Sequence, residues 1–452
     1  MSDISEKGMK RRSFLKIGAA AGAAVAAMKL EAKPPLPAGE AFTQFRVPPI
    51  DPVRIGFVGV GNMGSAHVRN LMGIDGVEIR AVCDIVESKV ERIQKWLTDD
   101  GRPKPDGYSR GPRDFERLCA RDDLDLVYTA TPWEWHVPVC VAAMKAGKHA
   151  ATEVPAANTI EDCWRLVETA EKTKKHCVMM ENCCYDRPEL TVLNMVRQGV
   201  LGELIHGACG YLHDLRSVKF SSEAEGLWRL AHSIRRNGNL YPTHGLGPMA
   251  QWMNINRGDR FDVLVSMSSN SRGLNLYAAK KFGPDSPQAR TRYALGDINT
   301  SLIQTQLGKT IVLTHDTDLP RPYSRINLIQ GTAGVFQGYP SLIYLEERSP
   351  KPDMWEPLEN YFAQYEHPLW KTLAAKGEGR GHGGMDFIED YRLIQALRSG
   401  TPTDMDVYDA AAWSAPVELS ERSVARRGRP QEFPDFTRGK WRTNPPLGIV
   451  TA

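Results

Sequence analysis

From Arg54 to Glu181 the chain alternates short apolar runs with segments whose apolar residues recur at helical spacing. Arg54–Val60, Glu78–Asp84, Leu124–Ala130, His149–Glu153 and Cys177–Glu181 are too short and too apolar for amphipathic helices, and they predict strands buried on both faces. Between them Ser65–Met72, Glu87–Leu97, Asp114–Ala120, Pro138–Ala146 and Ile160–Thr173 predict helices, with a Gly- and Pro-rich loop at Asp99–Pro112. Strands alternating with helices predict a doubly wound parallel sheet, whose ligands sit beyond the carboxyl ends of the strands. Past Arg187 the pattern changes. A helix at Pro188–Gln198 leads to a strand at Leu204–Tyr211, and a long polar stretch then reaches His244. Phe261–Ser268, Asn299–Leu307, Thr310–His315 and Arg325–Gln330 follow as alternating or β-rich runs, with a hairpin turn at Leu307-Gly308-Lys309-Thr310. Helix returns at Gly384–Arg398 and Asp406–Arg426.

The first strand runs into Gly59-x-Gly61-x-x-Gly64 and then into a helix. In that setting one glycine makes the tight turn, one lets backbone approach a pyrophosphate, and one lets helix pack on strand. The phosphates would meet free N–H groups and the dipole at the helix N-terminus. Asp84 ends the second strand about 20 residues beyond the last glycine, where a ribose 2′-hydroxyl needs an acceptor. A carboxylate there repels a 2′-phosphate, so NAD is favoured over NADP. The fold class expected is α/β. A Rossmann doubly wound parallel sheet occupies residues 53–185, and an α+β domain with a large, mostly antiparallel sheet occupies 186–452. Topology nominates Gly61, Asn62, Met63, Asp84, Trp133, Glu134, Trp135, His136, Glu153 and Asn182 as site residues, because all stand just past strand ends.

The chain has 452 residues, enough for two domains, with 57 basic and 54 acidic side chains. A net charge of +3 with no basic stripe interleaved with aromatics is not a nucleic-acid footprint. Eight cysteines lie mostly in apolar segments, with neither a Cys-x-x-Cys pair nor a Cys/His spacing suited to zinc, so buried thiols and no metal are expected. Gly381-His382-Gly383 is too sparse to alter that. Arg11-Arg12-Ser13-Phe14-Leu15-Lys16 precedes the apolar segment Ile17–Met28, which is too short to span a bilayer. The stretch resembles a twin-arginine export signal. Residues 1–32 are therefore expected to be a signal peptide and 33–52 a proline-rich linker, giving an exported or periplasmic protein without stable membrane insertion.

The order glycine turn, Asp84, Thr131-Pro132-x-x-x-His136, Gly147-Lys148-His149 and Glu153-x-Pro155 resembles the glucose–fructose oxidoreductase/inositol dehydrogenase superfamily. Sugar dehydrogenases of that group carry Glu-Lys-Pro, with the lysine assisting removal of a hydroxyl proton; here the middle residue is Val154. Asn237-Gly-Asn-Leu-Tyr241-Pro-Thr-His244-Gly-Leu-Gly, Arg257-Gly-Asp-Arg260 and Pro320-Arg-Pro-Tyr323-Ser-Arg are similar to glycoside hydrolase family 109, which holds NAD-dependent α-N-acetylgalactosaminidases. The chemistry this resemblance implies is redox-neutral. Tightly bound NAD⁺ takes a hydride from sugar C3, the ketone acidifies C2–H, the C1 aglycone leaves by elimination, water adds, and the hydride returns. Carried over by motif, the cofactor is expected to touch Asn62, Met63, Asp84, Trp133 to His136, Glu153, Val154, Asn182 and Tyr241. The sugar is expected at Tyr211, Arg229, Tyr241, Pro242, Thr243, His244 and Tyr323.

His244 reads as general acid/base near the C3 hydroxyl, or as a buried histidine satisfied by backbone. Tyr323 reads as the base at C2, as a donor to a developing oxyanion, or as an aromatic wall. Tyr185 is a further candidate for the proton work. Glu153 stands where a carboxylate touches a ribose or helps hold the sugar. The alternative function is a net NAD-dependent sugar or inositol dehydrogenase; a catalytically silent binding module is a third reading. The partner expected is a small carbohydrate or glycoconjugate, and the open face of the second sheet would suit self-association.

Overall fold

The computed structural model of the chain describes residues 41–451, residue 224 apart. The export-signal reading lies outside those residues. Six parallel strands form the first sheet: β1 Val53–Val58, β2 Val77–Cys83, β3 Asp106–Tyr108, β4 Leu126–Thr129, β5 His149–Thr152 and β6 Cys177–Met179. Their order is β3-β2-β1-β4-β5-β6. Strands β4 and β5 are buried along their whole length, as continuous apolar runs require when helices cover both faces. Phe57 of β1 stacks on Tyr128 of β4 at 4.7 Å between ring centroids, fixing the middle of the sheet. The short β3 falls inside the loop that its Gly and Pro content predicted to be irregular.

Nine strands form the second sheet: β7 Leu204–Leu212, β8 Phe261–Ser268, β9 Ile298–Thr305, β10 Thr310–Asp316, β11 Leu328–Gly331, β12 Gly334–Gln337, β13 Leu342–Leu345, β14 Glu356–Pro357 and β15 Gln431–Glu432. The order is β14-β13-β12-β11-β7-β10-β9-β8-β15, antiparallel except where β7 lies parallel to β10. Strict alternation along β9 puts Ser301 and Ile303 inward and leaves Leu302 outward. The inner face is covered by the helices Thr243–Trp252 and Pro416–Ala425.

The late helices do more than close the second domain. Met385–Ser399 packs on Asn62–Met72 and β1, and Val407–Ser414 packs on Ile160–Thr173 and β6. The expected split at residue 185 is not a division in space, because helices from beyond residue 384 cover part of the first sheet. The helix expected over Asp406–Arg426 breaks at Ala415, where Pro416 starts a new one. The linker expectation is also corrected for residues 41–52. Phe42 N donates to the Tyr408 hydroxyl at 2.8 Å, Phe45 packs on His176, and Ile50 N bonds Leu397 O, so this segment is seated rather than a free tether. Among the described residues no helix is long and apolar enough to cross a membrane.

One buried ion pair ties these late elements together. Arg257 donates to both oxygens of Asp409 at 2.7 and 2.6 Å, and Asp409 in turn completes a capping box with Asp406. Arg257→Leu leaves a fully buried carboxylate without its cation and is expected to cost about 3–5 kcal/mol. Urea denaturation followed by circular dichroism checks this through the transition midpoint; an unchanged midpoint would contradict it.

Candidate active site

A cleft of about 430 Å³ opens along the carboxyl ends of the first sheet. The glycine turn forms its floor. Gly59 has a φ of +81°, which a side chain would strain. A Cβ on Gly64 would stand 2.0 Å from Gly59 O, so only glycine lets the helix start this close to the strand. A Cβ on Gly61 would meet nothing within 4 Å and would project into open space. That cradle, with the uncapped N-terminus of Asn62–Met72 above it, fits a pyrophosphate. Asp84 lines the cleft at the end of β2; its carboxylate accepts from Val60 N at 3.0 Å and Val86 N at 2.9 Å, which fixes its direction. Exposed Ile85 and Val86 and buried Phe115 supply an apolar setting on that side, suited to a purine.

The other half of the cleft is lined by Trp133, Trp135, His136, Glu153, Val154, Arg229 and Tyr241, with Asn62 and Met63 on the turn itself. His136 is buried, each ring nitrogen 2.8 Å from a carbonyl, of Pro155 and of Thr131. It braces the loop after β4 against the segment after β5. Burial pushes its pKa down, while the two carbonyls work in the opposite direction. Glu134 and Asn182 do not line the cleft. Glu134 lies 3.7 Å from His232, and Asn182 spends its amide on Asp386 at 2.7 Å.

Tyr241 joins the cleft to an aromatic wall from the second domain. Its ring lies 5.7 Å from Trp133, 4.5 Å from Tyr211 and 4.9 Å from His244; Tyr211 continues the wall to Tyr323 at 6.1 Å. Pro242 and Thr243 start the helix that carries His244, and Thr243 is fully buried. Arg229 is boxed by the rings of Trp133, Trp228 and Tyr241 and paired with Glu225, which makes it an ion pair in the wall of the cleft. Burial pushes the Tyr211 phenol up to about 12 and raises that of Tyr323 further. Both rings are therefore protonated at neutral pH, which suits Tyr323 to donating a hydrogen bond more than to abstracting a proton.

Tyr185 is a correction. Its hydroxyl donates to Asp404 at 3.0 Å, in a buried network where Arg392 also grips Asp404, and it borders no part of the cleft. The strand–turn geometry after β6 points its ring toward the late helices instead.

Glu181 is the residue the motif reading passed over. It ends the β6 segment and is fully buried, and its Oε1 lies 2.7 Å from His244 Nδ1. Two glycines make the approach: a Cβ on Gly245 would stand 2.3 Å from Gly210 N, and one on Gly247 would stand 2.7 Å from the Glu181 side chain. Burial works against the Glu181 charge, yet the charge and hydrogen bond of His244 outweigh it and keep the carboxyl below its ordinary range. In the neutral form of His244, an Nδ1–H donated to Glu181 leaves the lone pair at Nε2, the arrangement of an oriented base. His213 was also missed; its Nδ1 lies 3.0 Å from the Tyr211 hydroxyl. The rule that ligands gather at strand ends would have found Glu181.

Donor atoms of Glu181, Cys183 and His244 lie within 4.8 Å of one another, a grouping that the expectation of no metal did not foresee. His244 Nδ1 is committed to Glu181, and burial pushes the Cys183 thiol well up, away from the thiolate a metal would take.

A Rossmann sheet with this glycine cradle, opening toward a large mixed sheet, is the NAD-binding fold of the oxidoreductases. Residues 53–181 match the oxidoreductase family with an NAD-binding Rossmann fold. The fold is similar to an inositol dehydrogenase homolog from Azotobacter vinelandii complexed with NADH and myo-inositol (TM-score 0.62, 19% identity, 85% of this chain and 98% of that one). It is also similar to levoglucosan dehydrogenase in complex with NADH and levoglucosan (TM-score 0.64, 16% identity, 85% and 100% covered). The rest of the chain narrows the class. Residues 185–443 match the glycosyl hydrolase 109 C-terminal domain. A glycosyl hydrolase family 109 protein of Solibacter usitatus is 50% identical over 97% of this chain and 99% of its own length, and one of Shewanella amazonensis is 49% identical over 100% of both. The chain belongs to glycosyl hydrolase family 109.

Proposed function

We propose that this protein hydrolyses terminal α-N-acetylgalactosamine residues by a redox-neutral cycle around a permanently held NAD. The observation that carries the reading is the pairing of His244 with Glu181 beside a cleft where Val154 stands in place of a lysine. A sugar oxidised at C3 must lose its hydroxyl proton to some base. Val154 offers none, whereas the Nε2 of an oriented His244 does. Bound NAD⁺ supplies the electron sink at C3 that makes C2–H acidic and is restored within the same turnover. Glycine-turn N–H groups would meet its pyrophosphate and Asp84 its adenosine ribose, with Trp133, Trp135 and Glu153 bordering the nicotinamide side. Protonated Tyr323 donates to the oxygen that gains charge as C2–H leaves, and Arg229 with Tyr211 and Tyr241 orients the ring. Such a route stands among the NAD-dependent exceptions to paired-carboxylate glycosidases.

The twin-arginine resemblance fits this cycle, since an exported enzyme has no nicotinamide pool to draw on and must regenerate its own cofactor. Aryl N-acetylhexosaminides test the reading. Release of nitrophenol from the α-galacto substrate, with no net rise in NADH absorbance, is expected. NADH accumulating with a free hexose or inositol and no aryl release would overturn it in favour of a net dehydrogenase.

A further inference from the structure

The helix that begins at the glycine turn carries a buried charge that the cycle above does not use. His67 is 1% exposed. Its Nδ1 lies 2.9 and 3.0 Å from the two oxygens of Asp390, and its Nε2 lies 2.8 Å from Glu153 Oε1. Asp390 also accepts from Asn70 Nδ2 at 3.0 Å, and the Tyr128 hydroxyl sits 3.0 Å from His67 Nδ1. Carboxylates on both sides call for an imidazolium with two N–H donors. Burial opposes that charge, but Asp390 and Glu153 outweigh it and hold the ring well above its ordinary range.

The chain of bonds has one way out. Asp390 and Tyr128 are fully buried and Asn70 is 2% exposed, whereas Glu153 lines the cleft. A row of groups closed at its inner end moves no proton to solvent; what it does is hold a side chain still. Glu153 stands after β5, on the side of the Rossmann sheet that takes the second nucleotide. One of its oxygens is tied to His67, and the other lies 3.2 Å from Val154 N.

We propose that His67 and Asp390 form a clamp that fixes the Glu153 carboxylate so that it accepts a hydrogen bond from the nicotinamide-side ribose of the dinucleotide. His67 and Asp390 are thus positioning residues acting through Glu153. The proposal rests on dinucleotide binding and is independent of the sugar and of the glycosidase reading.

The test is a double-mutant cycle read by calorimetric titration of NAD⁺ into cofactor-stripped protein, with melting temperatures alongside. His67→Gln and Glu153→Gln are each expected to weaken NAD⁺ binding about tenfold, and the double variant to be no more than about twofold weaker than Glu153→Gln alone. Asp390→Asn is expected to follow the same non-additive pattern. A fall in melting temperature with unchanged NAD⁺ affinity, or losses that multiply in the Glu153→Gln background, would reduce the trio to a tie between two helices. Should the core variants not fold, the ring-nitrogen NMR signals of His67 in the wild-type protein decide it. They shift on NAD⁺ addition if the clamp reaches the cofactor, and stay in place if it does not.

Discussion

Glu181→Gln is expected to lower kcat on the aryl glycoside by about 10²–10³-fold while KM changes by less than about threefold. The reason lies in which ring nitrogen carries the proton. A carboxylate at Glu181 Oε1 accepts Nδ1–H at 2.7 Å and leaves the Nε2 lone pair free; an amide can offer N–H to Nδ1 and reverse the tautomer. The substitution keeps side-chain volume and removes no wall of the cleft, so sugar and cofactor binding should survive it. The folded-state pKa of Glu181 is lowered. Its contribution to stability is therefore fully present above the unfolded carboxylate value of about 4.3 and is lost only as pH falls through the lower folded value. Loss of stability near neutral pH would accordingly not be assigned to Glu181. Steady-state kinetics of the variant check the account; equal falls in kcat and rise in KM would make Glu181 a packing residue.

Gly61→Val should be as damaging by another route. A Cβ at this position meets no protein atom within 4 Å, so the protein itself has room for the side chain. The same space is where the cradle admits phosphate, and NAD affinity is expected to fall on the order of a hundredfold, about 2.7 kcal/mol. Melting of the cofactor-free protein should hardly change. Gly64→Ala is the control: its Cβ would collide with Gly59 O at 2.0 Å, and both stability and binding should fall. Calorimetry and thermal melts of the two variants separate the outcomes, and an intact NAD affinity in Gly61→Val would move the cofactor away from the turn.

Much of the first sheet was legible because its strands other than β3 are apolar runs closed by a chemically distinctive residue. Gly61, Asp84, Trp133, Trp135, Glu153 and Val154 all line the cleft that the strand-end rule predicts. The polar stretch before His244 carries no predicted element, yet it holds the helix Trp228–Arg235, whose aromatic and arginine residues build the wall around Tyr241. A helix with a single fully buried residue leaves little apolar period to read. Strands β12 and β13 were missed because four-residue strands carry too few alternations to stand out.

Glu181 and His67 escaped for a different reason. Glu181 looks like the end of a strand until a helix 63 residues later brings His244 against it. His67 looks like a polar position on an amphipathic helix until Asp390, 323 residues away, closes on it. Tyr185 erred in the opposite sense: Glu181, four residues earlier, meets His244, but the turn after β6 sends the Tyr185 hydroxyl to Asp404. Local pattern names the residues at strand ends. Which of them are paired by late helices is a property of packing.

The central claim is that cleavage passes through transient oxidation at C3 and loss of the hydrogen at C2. Hydrolysis of an aryl α-N-acetylgalactosaminide in D₂O, with NMR of the recovered sugar, tests it most directly. Deuterium at C2 of the product, with no NADH left over, is the predicted result; full protium at C2 alongside complete hydrolysis would contradict it.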